Sequence, residues 1–108
     1  MRKLIAILLM LPPLGAAAAD APSAERRAEL TRLVRQDCGS CHGMRLTGGL
    51  GSPLTAESLR DKPLEGLVAT VLYGRPGTAM PPWRGMLSDG EAQWIVGRLM
   101  AGFPEETR

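Results

Sequence analysis

Apolar residues recur along this chain at helical rather than strand spacing. Leu30, Leu33, Val34, Cys38 and Cys41 form one amphipathic stripe, which Ser23 is placed to cap and Gly43 to end. A second stripe, Leu64, Leu67, Val68, Val71 and Leu72, follows Pro63, whose fixed φ suits a first helical position, and stops at Gly74. A third, Ala92, Ile95, Val96, Leu99 and Met100, follows Ser88-Asp89-Gly90-Glu91, which has the form of a capping box, and closes at Gly102. No stretch alternates apolar and polar residues for long enough to make a strand. The pattern therefore predicts an all-α domain of three to four helices joined by Gly/Pro loops, without internal repeats.

Two of those loops are distinctive. Between residues 44 and 63 stand Gly48, Gly49, Gly51, Ser52 and Pro53, which predict a loop with one helical turn from Thr55 to Arg60. Its glycines let the backbone lie close against a flat object. The run Arg75-Pro76-Gly77-Thr78-Ala79-Met80-Pro81-Pro82-Trp83 holds three prolines without amide donors, so it is expected to be a stiff, extended loop.

The first residues read differently. Met1-Arg2-Lys3 is positive, Leu4 to Leu11 is wholly apolar, and Pro12-Pro13-Leu14-Gly15 precedes four alanines, the layout of a secretory signal cut before Asp20. The uncharged run is shorter than the roughly 20 residues that span a bilayer. No cysteine follows it to take a lipid. Residues 1–19 are thus expected to be a cleaved signal peptide and residues 20–108 one exported domain with no stable membrane insertion.

Composition sharpens this reading. The chain has 108 residues, of which 89 remain after the leader, room for one small domain. Two Trp, one Tyr and one Phe cannot fill a core of ordinary density, so something else is needed in the middle. The formal charge of +2 comes from 13 basic and 11 acidic residues, but Arg2 and Lys3 leave with the leader and the remainder is neutral. That excludes the concentrated basic face of a nucleic-acid binder. Arg32, Arg35, Arg45, Arg60, Lys62, Arg75 and Arg84 nonetheless make the middle of the chain mildly positive.

Cys38-Gly39-Ser40-Cys41-His42 matches C-x-x-C-H, the signature for covalent attachment of c-type haem. Two thiols one helical turn apart can each add to a vinyl group of one porphyrin, and the next residue then offers its imidazole to the iron. A structural zinc site would want four ligands, and the chain has two Cys and one His. A thioredoxin-like pair expects a βαβ setting, and a plain disulfide leaves His42 without a role. With His42 in one axial place, no second histidine exists for the other, and Lys62 is the only lysine after the leader. Among the methionines, Met44 lies too close to His42 to cross the ring, Met100 belongs to the last helical stripe, and Met86 sits before a helix cap. Met80, offered from the Pro-rich loop, is the expected second axial ligand. Iron held on both sides leaves no vacant place for substrate, which points to electron transfer rather than catalysis.

The order of these features, CxxCH at a helix end, a Gly/Pro loop, a middle helix, a Met-Pro loop and a capped last helix, resembles the small class I c-type cytochromes from Asp20 to Phe103. Within that family the strings Leu33 to Met44, Gly74 to Trp83 and Glu91 to Val96 resemble the cytochrome c-55X group, encoded with the dissimilatory nitrite reductase of denitrifying bacteria. The resemblance implies a periplasmic monohaem protein with one covalent haem c, anchored through Cys38 and Cys41, with His42 and Met80 on the iron. It implies a redox protein partner, expected to be the nitrite reductase; the alternative is a factor for assembly of that reductase and its d-type haem. Either role makes the chain an electron carrier or accessory protein, not an enzyme. By the same analogy Pro53 is expected to support the His42 ring, and the haem to complete the core among Leu67, Val71, Leu72 and Trp83. Many members of the family pack a glycine and an aromatic of the first helix against an aromatic of the last. Here those positions are Leu30, Val34 and Arg98, so the contact must be rebuilt, with Trp94 one turn earlier as the candidate.

Overall fold

A computed structural model describes Met10 and residues 21–104; apart from Met10, the expected leader and its cleavage point lie outside the described residues. The described residues are helical and contain no strand, and none of their helices is long and apolar enough to cross a membrane. Helix α1 (Ala24–Leu33) starts where expected, the Ser23 hydroxyl accepting the Arg26 N–H at 3.1 Å. It continues without a break through a π-helical turn, Val34–Cys38, into α2 (Gly39–His42), which Gly43 ends at φ +96°.

The π turn alters the first stripe. Gly39 N–H bonds to the Val34 carbonyl five residues back, one residue further than the bond of an α-helix. Leu30 and Val34 are fully buried as expected. Beyond them Gly39 takes a buried place, while Cys38 still packs half-buried against the core and Cys41 is half-buried at the end of the run.

The remaining elements follow their local signals closely. The single turn α3 (Ala56–Leu59) is capped by Thr55, which accepts the Ser58 N–H at 3.2 Å. Helix α4 (Leu64–Tyr73) places Pro63 at its cap, with φ −69° and ψ 135°, one position outside the first helical residue expected. Its carbonyl is taken by Leu67 N–H at 3.2 Å. Helix α5 (Asp89–Ala101) carries both arms of the capping box: Ser88 Oγ accepts Glu91 N–H at 3.1 Å, and Glu91 accepts Ser88 N–H at 3.0 Å.

Helix α5 is the centre of the packing, lying mainly against α4 and also touching α3 and α1. The core is aliphatic: Leu30 and Val34 from the first helix, Val68 and Leu72 from α4, and Ala92, Ile95, Val96 and Leu99 from α5. Burial of the Leu, Ile and Val side chains among these stabilises by roughly 1.5–3 kcal/mol each. Leu46, Leu59 and Leu87 complete it from outside the three long stripes. The contact between first and last helices is rebuilt without an aromatic pair in the buried core. Trp94 is half-buried beside it and lines a cavity of about 250 Å³ with Arg27, Thr31, Arg98 and Phe103. Arg26 of α1 also pairs with Glu91 of α5, which ties the start of the first helix to the last.

Candidate functional site

The Cys and His residues of the motif sit at the end of the first helical run. Cys38 closes the π turn, Cys41 and His42 belong to α2, and all three are half-buried. Cys38 and Cys41 are free thiols, not a disulfide. Burial, helped by the negative charge of Asp37, pushes the Cys38 thiol up to about 11. At neutral pH it is therefore protonated, unlike the low-pKa lead thiol of a redox-active Cys pair.

The orientation of His42 is set by the loop after it. Its Nδ1 lies 2.6 Å from the Ser52 carbonyl oxygen, which can only accept, so Nδ1 carries the proton and donates. Nε2 is then the unprotonated nitrogen, the one able to bind a metal. The supporting group is thus the carbonyl of Ser52, one residue before the Pro53 expected. The same loop satisfies the end of α2, Gly51 N–H donating to the Cys41 carbonyl and Gly48 N–H to the His42 carbonyl, both at 2.8 Å. This approach requires glycines: a Cβ at position 51 would meet His42 Nδ1 at 2.6 Å, and one at position 49 the Cys41 carbonyl at 2.7 Å. The loop glycines lie against the chain's own imidazole and backbone, which is the flat object they accommodate.

Met80 stands in the second loop, which is closed on itself and on α4. Thr78 N–H donates to the Arg75 carbonyl at 3.0 Å across Pro76-Gly77, and Arg75 N–H donates to the Met80 carbonyl at 3.1 Å. The Thr78 hydroxyl donates to the Arg75 carbonyl and accepts the Met80 N–H at 3.3 Å. After the two prolines, Trp83 and Arg84 N–H groups donate to the carbonyls of Val71 and Leu72, both at 3.0 Å. Gly77 has open space around it, and the close approach in this region is made at Gly74. Met80 is half-buried, Met44 and Met86 are exposed, and Met100 is packed against the core.

The donor set fits a c-type haem. Two unpaired thiols one turn apart precede an imidazole whose Nε2 is left for a metal, and half-buried Leu54, Leu67, Val71 and Trp83 present apolar surface beside the core. Of the side chains expected around the haem, Leu72 is instead a core residue, 2% exposed. Arg45, Arg75 and Arg84 are exposed, but Arg84 is paired with Asp89 and lies 5.9 Å from the centre of the Tyr73 ring. The Ser52 carbonyl and Gly74 escaped sequence reasoning, because backbone acceptors and close approaches carry no residue signature of their own.

Comparison with known proteins bears on the family. Residues 25–97 match the family described as cytochrome c oxidase, cbb3-type, subunit III. Cytochrome c55X of Pseudomonas aeruginosa is 61% identical over 90 residues, covering 83% of this chain and 76% of that protein. Among solved structures, the c-type cytochrome NirC is 64% identical, with a TM-score of 0.73 over 74% of this chain and 94% of its own. The structure of dihydro-heme d1 dehydrogenase NirN in complex with DHE is 36% identical, with a TM-score of 0.62 over 71% of this chain but only 16% of that larger one.

Proposed function

This chain belongs to the cytochrome c55X family of c-type cytochromes, whose cofactor is a covalently bound haem c, and from that premise we propose that it is a periplasmic one-electron carrier. The observation that carries the reading is the 2.6 Å contact of His42 Nδ1 with the Ser52 carbonyl, which fixes the tautomer and leaves Nε2 to ligate. The haem, when bound, supplies a single-electron couple at its iron. Cys38 and Cys41 would anchor it through thioethers, and His42 and Met80 would ligate its iron. A thioether opposite an imidazole favours a higher potential than two imidazoles would. Leu67, Val71 and Trp83 would exclude water from its apolar face, and ligation by both His42 and Met80 would leave no position open to substrate. The leader, residues 1–19, directs export and is removed before Asp20.

The partner proposed is the dissimilatory nitrite reductase, which receives the electron. Exposed Arg45 and Arg75, which form no ion pair among the described residues, supply positive charge to meet an acidic partner surface. A second reading is favoured by the likeness to one domain of dihydro-heme d1 dehydrogenase NirN: the chain serves in maturation of the reductase's d-type haem. A deletion strain separates the two. Fully loaded reductase that is reduced slowly supports the carrier; reductase lacking its d-type haem refutes the carrier assignment and supports maturation.

A further inference from the structure

Gly74 ends α4 with its N–H on the Thr70 carbonyl at 2.9 Å, and its backbone lies at φ +69° and ψ −168°, a region essentially closed to residues with a Cβ. Space is as restrictive as torsion. A Cβ built there would meet the Met80 carbonyl oxygen at 2.7 Å, the Pro81 carbonyl carbon at 2.8 Å and the Pro82 nitrogen at 2.8 Å. All three are backbone atoms, and the segment that holds them is fixed at both ends. Arg75 N–H holds the Met80 carbonyl on one side, and Trp83 and Arg84 N–H groups hold the returning chain to α4 on the other. Pro81 and Pro82 remove the torsional freedom with which the segment would otherwise give way.

We infer that Gly74 is a positioning residue for the Met80 ligand: it forms the floor on which the Met80 backbone rests, and its missing side chain sets how far the thioether reaches toward the iron. This rests on the reading of Met80 as the second axial ligand. Any side chain at position 74 must push the Met80 carbonyl out from 2.7 Å to the 3.4 Å or more of ordinary contact. The loop carries Met80 with it, because Arg75 N–H and the Thr78 hydroxyl bind the carbonyl and the amide of that same residue.

Gly77 provides a control for positive φ without the collision. It too has a positive φ, +78°, but a Cβ there meets nothing within 4 Å. Alanine strains the backbone at both positions and collides with the Met80 segment only at 74.

The test uses exported, haem-loaded Gly74→Ala, Gly77→Ala and Met80→Ala proteins, each compared with the parent by ferric visible spectrum and by titration with imidazole. The parent and Gly77→Ala are expected to keep the sulfur-to-iron band near the red end. Gly74→Ala is expected to lose most of it and to bind imidazole about tenfold more tightly or better, because the added ligand binds only the fraction with Met80 displaced. Met80→Ala loses the band completely. Where alanine at 74 lowers the folded yield, the spectrum and titration are taken on the fraction whose far-ultraviolet circular dichroism matches the parent. A parental band and imidazole affinity in Gly74→Ala, with Met80→Ala lacking the band, overturns the positioning role alone. Equal losses in Gly74→Ala and Gly77→Ala overturn it too, since strain would suffice. A band that survives in Met80→Ala overturns the ligand reading beneath it.

Discussion

Replacing Glu91 tests the joint that holds the motif-bearing helix against the last one. Its carboxylate accepts Ser88 N–H at 3.0 Å, completing the capping box of α5, and pairs across to Arg26 Nε on α1. Glutamine keeps an acceptor for Ser88 but removes the charge from the first turn of the helix, a loss of about 0.3–1 kcal/mol. Alanine removes the reciprocal hydrogen bond as well, and capping interactions of this kind are worth roughly 1 kcal/mol more. Glu91→Gln is thus expected to lower stability by about 0.3–1 kcal/mol and Glu91→Ala by about 1.3–2 kcal/mol. In a domain of this size, 1 kcal/mol lowers Tm by about 4–8 °C. The hydrogen bond from the Arg26 guanidinium, then that from Ser88 N–H, holds the Glu91 carboxyl below the usual carboxylate range. A depressed folded pKa stabilises only while the unfolded group is ionised. The parent's advantage over Glu91→Gln is therefore complete above about pH 4.3 and fades as pH falls through the lower, folded value. Thermal unfolding of the haem-loaded proteins, followed by far-ultraviolet circular dichroism at pH 7 and pH 3, measures this. A glutamine variant as stable as the parent at pH 7, or an equal gap at both pH values, refutes the reasoning.

Gly51→Ala would drive a methyl group into the His42 ring, where a Cβ meets Nδ1 at 2.6 Å, and so break the Ser52 hydrogen bond. Losing that bond makes the imidazole a weaker donor, so the midpoint potential should rise and the unfolding midpoint fall; unchanged values would contradict the clamp. Leu30→Ala, at a side chain 0% exposed, should cost about 2–5 kcal/mol in guanidinium unfolding, and a loss under about 1 kcal/mol would remove Leu30 from the core proper. Arg45→Gln and Arg75→Gln should each slow electron transfer to the acceptor at low ionic strength more than Arg84→Gln does, since Asp89 already offsets Arg84. Rates in the parent that ignore ionic strength would remove the steering role of all three.

Much of this fold was legible because its signals are local. Ser23, Thr55 and Ser88 each cap a helix through their own hydroxyl, and Gly43, Gly74 and Gly102 end theirs at positive φ. The α5 stripe placed Ala92, Ile95, Val96 and Leu99 in the core because a 13-residue helix repeats its period often enough to be read. The π turn was not legible. Val34–Cys38 has no composition of its own, and the extra residue in its hydrogen bond puts Gly39 in a buried place that the period did not assign, while Cys38 stays half-buried against the core. Leu46 and Leu87 were missed for a related reason: each is 4% exposed yet sits in a loop, where no repeat predicts which way a side chain faces. Around the candidate site the side chains were readable, and the backbone groups that aim them were not. The motif specified an imidazole, but that Ser52 supplies its carbonyl and Gly74 supports the Met80 segment depends on how two loops return to their helices.

A visible-region redox titration of the exported protein tests the one-electron haem centre most directly. One reversible wave is expected with the one-electron slope, about 59 mV per tenfold change in the ratio of oxidised to reduced protein. A sulfur-to-iron band is expected in the ferric form and should vanish on reduction. A colourless product, absorbance that does not respond to potential, or a ferric spectrum without that band in the otherwise intact protein would contradict that assignment.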